Sequence, residues 1–265
     1  VSAAACDHRR VQDGTLIPRF GRARRDRSLA VLEGLHALKH ALRFGARVLE
    51  VVCSDAAELD RLAGELAPDV RAEIGARARV VDAAVFAQLA PYVPSTGVIS
   101  IAERPHYELH SALADARARP LVLLEDPRDL GNIGACVRVA AAADAAGVLT
   151  SGGHDPWHPD ALRGAAGLHF ALPVLHVDPL ALASGDRPLL AIAPDGAALV
   201  PESLPARALL AFGGERYGLS DELSARAEAR VSIPMRAGVS SLNLATSVAA
   251  VLFAWRLSAG GSAGA

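Results

Sequence analysis

Three short segments carry polar residues where an apolar helix or strand would be expected. The first runs Glu125-Asp126-Pro127-Arg128-Asp129-Leu130-Gly131-Asn132-Ile133-Gly134 and on to Arg138. Asn132 can cap a helix there, and Gly134 lets the helix approach another backbone closely. Arg138 stands among Ala and Val on a helix that should be largely buried. A buried guanidinium needs an anion or a carboxylate, so Arg138 is either half of a structural ion pair or the ligand of a bound anion. In the second segment, Phe212-Gly213-Gly214-Glu215, two adjacent glycines after a strand admit a ligand against the backbone, and Glu215 is either a helix-start residue or the partner of a cation. The third is Ile233-Pro234-Met235, followed by Ser241-Leu242-Asn243. Ser241 and Asn243 are ordinary N-cap types, yet they open a helix that is then apolar nearly all round.

Other chemistries find less support. No Gly-x-Gly-x-x-Gly follows a strand, and Lys39 is the only lysine, so no phosphate-binding Gly-Lys loop exists. His154, Asp155 and His158 lie in a Gly/Pro-rich loop without a further ligand at fixed spacing, and no metal site is expected. Cys6, Cys53 and Cys136 are too few and too far apart for a disulfide framework. Arg22, Arg24, Arg25 and Arg27 crowd together near the start, opposed only by Asp26. They form either a solvated arm or a clamp on RNA phosphates, which guanidinium forks match well.

The elements that must position these residues alternate between strand and helix. Residues 1–27 read as a polar, irregular, basic arm. Leu32, Leu35, Leu38 and Leu42 recur at helical spacing up to a stop at Gly45. Strands at Val48–Cys53, Ala78–Val81 and Gly97–Ile101, with helices at Ala56–Leu66 and Ala83–Leu89, complete a small α/β domain over 28–103. A linker is expected over 104–117. The second domain, 118–258, opens on Leu121–Leu124, an apolar run typical of a strand buried on both faces. A helix near Ile133–Ala146 follows, then strands at Val148–Thr150, Pro173–His176, Leu189–Ala193, Leu209–Gly213 and Arg230–Ile233, and a closing helix at Asn243–Leu257. Residues 259–265 read as a frayed tail. The expectation is a mainly parallel sheet with helices on both sides, its ligand at the strand ends where all three polar segments fall.

Composition sets the outer limits. Of 265 residues, 51% are hydrophobic and only 4% aromatic, so the core is built from Ala, Val and Leu. Stacking many bases on aromatic rings is excluded. The formal net charge of −2 gives no global attraction to nucleic acid, so local charge decides. No secretory signal pattern or membrane-length apolar stretch is present, and the chain reads as cytoplasmic.

Taken in order, Asn-x-Gly-x-x-x-Arg, Phe-Gly-Gly-Glu and Ile-Pro-Met…Ser-Leu-Asn resemble the SpoU (TrmH-like) branch of the SPOUT RNA methyltransferases, over about residues 118–257. Leu32-Glu33-Gly34-Leu35-His36-Ala37 and Gly97-Val98-Ile99 are similar to that family's N-terminal, L30e-like substrate-binding domain. The resemblance implies a deep trefoil knot, an exception to the usual rule against knots. It implies a homodimer that binds S-adenosylmethionine and methylates a ribose 2′-hydroxyl of RNA, without a metal. Cofactor contacts would fall on Ile192, Ala193, Gly213, Ile233 and Leu242. The catalytic arginine would be Arg138, supported by Asn132, Glu215, Ser241 and Asn243. A guanidinium is a poor base, so Arg138 is expected to grip a phosphate and stabilise the developing alkoxide. Leu244-Ala245-Thr246 departs from the Val-Ser-Val of many relatives and leaves the polar core intact. The expected substrate is 23S ribosomal RNA. Transfer RNA, or a catalytically silent role in RNA binding or ribosome assembly, are the alternatives.

Overall fold

The computed structural model describes residues 14–179, 182 and 187–261. The chain divides into two compact units, 1–105 and 106–265.

The first unit contains helix α1 (Leu16–Ala23), strand β1 (Leu29–Glu33), α2 (Leu35–Arg43), β2 (Val48–Cys53), α3 (Ala56–Leu66), α4 (Arg71–Arg77), β3 (Ala78–Val80), α5 (Ala83–Phe86) and β4 (Val98–Glu103). Its sheet has the order β1-β4-β2-β3; β4 runs antiparallel to both neighbours, and β2 pairs with β3 in parallel. Part of the basic arm is ordered. Leu16, Phe20 and Ala23 recur at helical spacing on α1 and pack with Val31, Val52, Ile99 and Ile101 of the sheet. Leu32 lies in β1 rather than in the leucine-spaced helix, which begins only after Gly34 turns the chain at φ 102°.

The second unit contains α6 (Leu109–Ala114), β5 (Leu121–Glu125), α7 (Leu130–Ala142), β6 (Gly147–Thr150), α8 (Pro159–Gly164), β7 (Val174–His176), β8 (Leu189–Ala198), β9 (Leu209–Gly213), α9 (Asp221–Ala225), β10 (Ala229–Ser232) and α10 (Leu244–Gly261). Its sheet, β10-β8-β9-β5-β6-β7, is parallel at every pairing. The chain builds outward from β5 through β6 and β7, then returns to the other side of β5. That reversal makes a switch point at the carboxyl ends of β5 and β9, where open α/β sheets bind ligands. Leu121, Leu123, Leu149, Leu209 and Ala211 form much of the core.

The expected linker is partly structural. Arg187, only 5% exposed, donates to the carbonyls of Leu113 at 2.9 Å, Asp115 at 3.0 Å and Arg119 at 2.8 Å. These bonds tie the end of α6 and the segment after it to the approach to β8. Helix α10 continues past Leu257 to Gly261, so the expected tail begins as helix; residues 262–265 lie outside the described residues. Cys53 and Cys136 are buried free thiols, pushed up by burial to about 11 and about 12. Among the described residues, no helix is long and apolar enough to cross a membrane.

Candidate active site

The helix that carries the first motif starts at Leu130, three residues before the expected start. Its N-cap is Asp129, whose carboxylate accepts from the Asn132 amide at 2.7 Å. The Asn132 side chain is thereby freed from capping. Its Nδ2 donates to Glu215 Oε1 at 2.8 Å, and its Oδ1 accepts from Asn243 Nδ2 at 3.0 Å. The other Glu215 oxygen accepts from the Arg128 amide at 3.0 Å. Asn243 caps α10, its Oδ1 accepting from the Ala245 amide at 2.9 Å. One hydrogen-bonded chain, Glu215–Asn132–Asn243, thus joins all three polar segments. Burial pulls the Glu215 carboxyl upward, but the bonds donated by Arg128 and Asn132 outweigh it and hold the group below the usual carboxylate range.

Beside this chain lies a cavity of about 480 Å³ at the carboxyl ends of β9 and β10 and the middle of β8. Ile192, Ala193, Gly213, Ile233 and Leu242 all line it, as do Glu215, Ser241 and Asn243. Gly213 is required by a close approach: a Cβ there would overlap the backbone of Gly218 and Leu219, where the loop folds back. The wall at Ile192 and Ala193, expected from the resemblance, extends to Pro194 and is shaped by a break in strand pairing that was not anticipated. Between Arg230 and Val231 the register shifts, so that β8 advances from Ala191 to Ala197 while β10 advances by one residue. Residues 192–196 therefore have no register partner on β10; Ile192, Ala193 and Pro194 line the cavity, while Gly196 packs against the Arg230–Val231 backbone. Pro194-Asp195-Gly196, interrupting an otherwise apolar run, was the available signal. Met235 and Ser247 also line the cavity and were missed, since nothing in their types marks them.

Arg138 departs from expectation. It is exposed on α7, lines no part of the cavity, and has no hydrogen bond or ion pair among the described residues. The buried arginine of this unit is Arg187 instead. The reason is orientation: Ile133, Cys136, Val137 and Ala140 occupy the buried faces of α7, while Arg138 points from another. Ser241 lines the cavity but does not cap the helix; Asn243 does. His158 caps α8 through the Asp160 amide and Asp155 accepts from the Trp157 amide. No group of three metal-ligating side chains gathers among the described residues.

The basic residues of the first unit divide by role. Arg24 turns inward to Glu33 at 2.9 Å, where the carboxylate is only 4% exposed. Arg22, Arg25 and Arg27 are exposed, without an ion pair among the described residues.

A parallel α/β unit with a cofactor-sized cleft at the end of β9, one strand from its switch point, and a fixed polar chain beside that cleft, is the build of an α/β enzyme. Residues 119–253 match the model of the SpoU rRNA Methylase family. A 23S rRNA (adenosine(1067)-2′-O)-methyltransferase of Streptomyces laurentii is 32% identical over 84% of this chain and 83% of its own length. The enzyme of the same name in Streptomyces azureus is 28% identical over 84% of each chain. The crystal structure of the SpoU methyltransferase AviRb from Streptomyces viridochromogenes, in complex with AdoMet, matches with a TM-score of 0.73. That match covers 90% of this chain and 97% of that one, and at 24% identity it is a likeness of fold. The chain belongs to the SpoU rRNA methylase family and is an RNA methyltransferase.

Proposed function

We propose that this protein transfers a methyl group from S-adenosylmethionine to a ribose 2′-hydroxyl of RNA, with 23S ribosomal RNA as the substrate. The observation that carries this reading is the Glu215–Asn132–Asn243 chain beside the 480 Å³ cavity. That volume suits a small organic cofactor. Ile192, Ile233 and Leu242 give an apolar slot for a flat ring, and Gly213 and Gly214 present backbone groups unshielded by side chains. When bound, the cofactor supplies an electrophilic methyl group.

The protein's own residues then have distinct tasks. Glu215, anionic at neutral pH, commits the Asn132 amide to one orientation, and Asn132 in turn fixes Asn243. Ser241, on the cavity wall, orients the ribose hydroxyl for an in-line approach. Arg138, which lines no part of its own subunit's cavity, serves that of the second copy in the homodimer, gripping the phosphate beside the target ribose and stabilising the oxyanion as it forms. Arg22, Arg25 and Arg27 hold RNA backbone, while Arg24 positions α1 through Glu33. In the same reading the first unit is an L30e-like substrate-binding domain, supported by its four-stranded mixed sheet. The second is threaded into a trefoil knot, supported by the convergence of the Ile192–Pro194, Gly213–Gly218 and Ser241–Asn243 segments on one cavity. The protein is a homodimer. A stripe on α10, Thr246, Ala250, Phe253 and Leu257 at helical spacing, ends in side chains 38% and 75% exposed and offers an apolar face to a second copy.

The test is transfer of labelled methyl from S-adenosylmethionine to transcripts of ribosomal and transfer RNA, followed by mapping of the modified nucleotide. Label in a 2′-O-methyl nucleotide of 23S RNA, from a protein whose light-scattering mass is that of a dimer, is the expected result. Cofactor binding without transfer to any RNA would leave a silent RNA-binding factor.

A further inference from the structure

The loop between β9 and α9 has two faces. One carries Gly213 and Glu215 toward the cofactor-sized cavity. Beyond the other lies a smaller hollow of about 180 Å³, which shares Gly214 and Gly218 with the first and is otherwise lined by Glu125, Asp126, Arg128, Arg216, Tyr217 and Ser220. The loop is held rigidly. The Gly218 amide donates to the Gly214 carbonyl at 3.0 Å, and Glu215 is fixed by Arg128 and Asn132. At the tip of this fixed loop Tyr217 stands 81% exposed.

We propose that this hollow receives the base of an RNA nucleotide splayed out beside the cofactor cavity, with Tyr217 as its stacking platform and the Glu125 and Asp126 carboxylates as acceptors for its amino edge. The inference rests on the RNA-methylation reading above. Three observations support it. The first is size: about 180 Å³ is well below the roughly 300–1,000 Å³ of a pocket that encloses a whole small molecule. It suits a single flat ring with its sugar left at the rim that both cavities share. The second is the aromatic ring, held without packing of its own on a clamped loop, as proteins that read single-stranded RNA hold rings for unstacked bases.

The third is polarity. Glu125 accepts from the Ser220 amide and hydroxyl at 2.7 Å each, and each of its oxygens keeps a second lone pair. Asp126, held at φ 44°, pairs with Arg128 through Oδ2 at 2.7 Å, while its Oδ1 lies against Gly152; each oxygen keeps a second lone pair. Two carboxylates facing a base accept from the amino groups of adenine, cytosine or guanine. They oppose the two carbonyl oxygens that flank the N–H of uracil. Arg128 and Arg216 at the rim offset the negative charge and offer planar forks to the flanking phosphates. The hollow therefore selects an amino-bearing base and rejects uracil.

The experiment compares the full-length protein with its Tyr217→Ala, Tyr217→Phe and Asp126→Asn variants, using pooled unmodified ribosomal and transfer RNA transcripts at limiting concentration. Asparagine tolerates the left-handed backbone at position 126, and Tyr217 is too exposed to matter for folding. Methyl transfer, nucleotide mapping and calorimetric binding of S-adenosylmethionine are read on each. Tyr217→Ala should lose roughly tenfold or more in transfer rate at limiting RNA, Tyr217→Phe should recover most of it, and Asp126→Asn should slow transfer. All should bind the cofactor as the parent does, and the mapped nucleotide should be A, C or G. Transfer by Tyr217→Ala at the parental rate, or a mapped uridine, overturns the base site while leaving RNA methylation intact. Absence of transfer by the parent protein to any RNA overturns the methylation reading, and this inference with it.

Discussion

At the scale of single residues, Arg138 and Glu215 make opposite forecasts for stability. Arg138 is exposed and abandons no buried carboxylate when removed, so Arg138→Ala should leave the thermal midpoint unchanged. If it stabilises the developing oxyanion, single-turnover methyl transfer should fall about 10²–10³-fold, the usual cost of one such donor. Arg138→Lys should recover little, because an ammonium cannot reproduce the planar fork. Normal turnover by a stable Arg138→Ala protein would remove it from the mechanism. Glu215 is the reverse case, a carboxylate that holds structure. Its carboxyl is depressed in the folded state, so its contribution is complete above the ordinary carboxylate range and lost as pH falls through the lower native value. The stability gap between the parent and Glu215→Gln should be widest near neutrality and close at acid pH below about 4. Thermal melts of both proteins across that range give the answer, and a gap that widened in acid would contradict the assignment.

At the scale of elements, the contact between α7 and α8 decides whether the first motif is held in place. A Cβ on Gly134 would lie 2.9 Å from Gly164 Cα and from the Ala165 amide, and nearer still to the Ala161 carbonyl. Two effects compete in Gly134→Ala. Helix propensity favours alanine by about 1 kcal/mol, whereas overpacking against backbone that cannot rotate aside costs about 1–3 kcal/mol or more. The clash wins because every nearby atom is main chain. Urea denaturation should show a net loss of stability, and a gain would mean that the two helices slide apart freely.

At the scale of the whole molecule, each unit has its own sheet and core, and the boundary at Pro105/His106 has an energetic meaning. Arg187 and Arg207 both donate to carbonyls between Leu113 and Arg119. A fragment begun at residue 118 strips α6 and leaves a buried guanidinium short of acceptors, at a cost of about 1–3 kcal/mol for each charged bond lost. A fragment begun at residue 106 keeps them. The longer fragment should unfold cooperatively at a higher temperature and bind S-adenosylmethionine with the full chain's affinity, as measured by calorimetry. Equal stability of the two fragments would make the α6 segment dispensable.

The sequence by itself determined the parallel α/β unit, because continuous apolar runs such as Leu121–Leu124 can be satisfied only between two covered faces. It also brought Asn132, Glu215 and Asn243 forward as candidate site residues, since their motifs fall in order at strand ends, and the structure joins the three in one hydrogen-bonded chain. Only the tertiary structure decided what each does. The Asn132 side chain was free to bridge because Asp129 took the cap, a competition between neighbours that spacing cannot resolve. Arg138, expected to be buried, is exposed, and Arg187 is buried, because helix orientation and long-range carbonyls, rather than flanking alanines, set the environment of a charge. Helix α1 was hidden among arginines because its apolar stripe is only Leu16, Phe20 and Ala23, a pattern too short to speak until a sheet is there to receive it. The break in pairing at residues 192–196 needed two partners, β9 and β10, to define where pairing stops and a cavity wall begins. Periodicity reports which side of an element is apolar; which atoms then meet across the fold depends on contacts far apart in the chain.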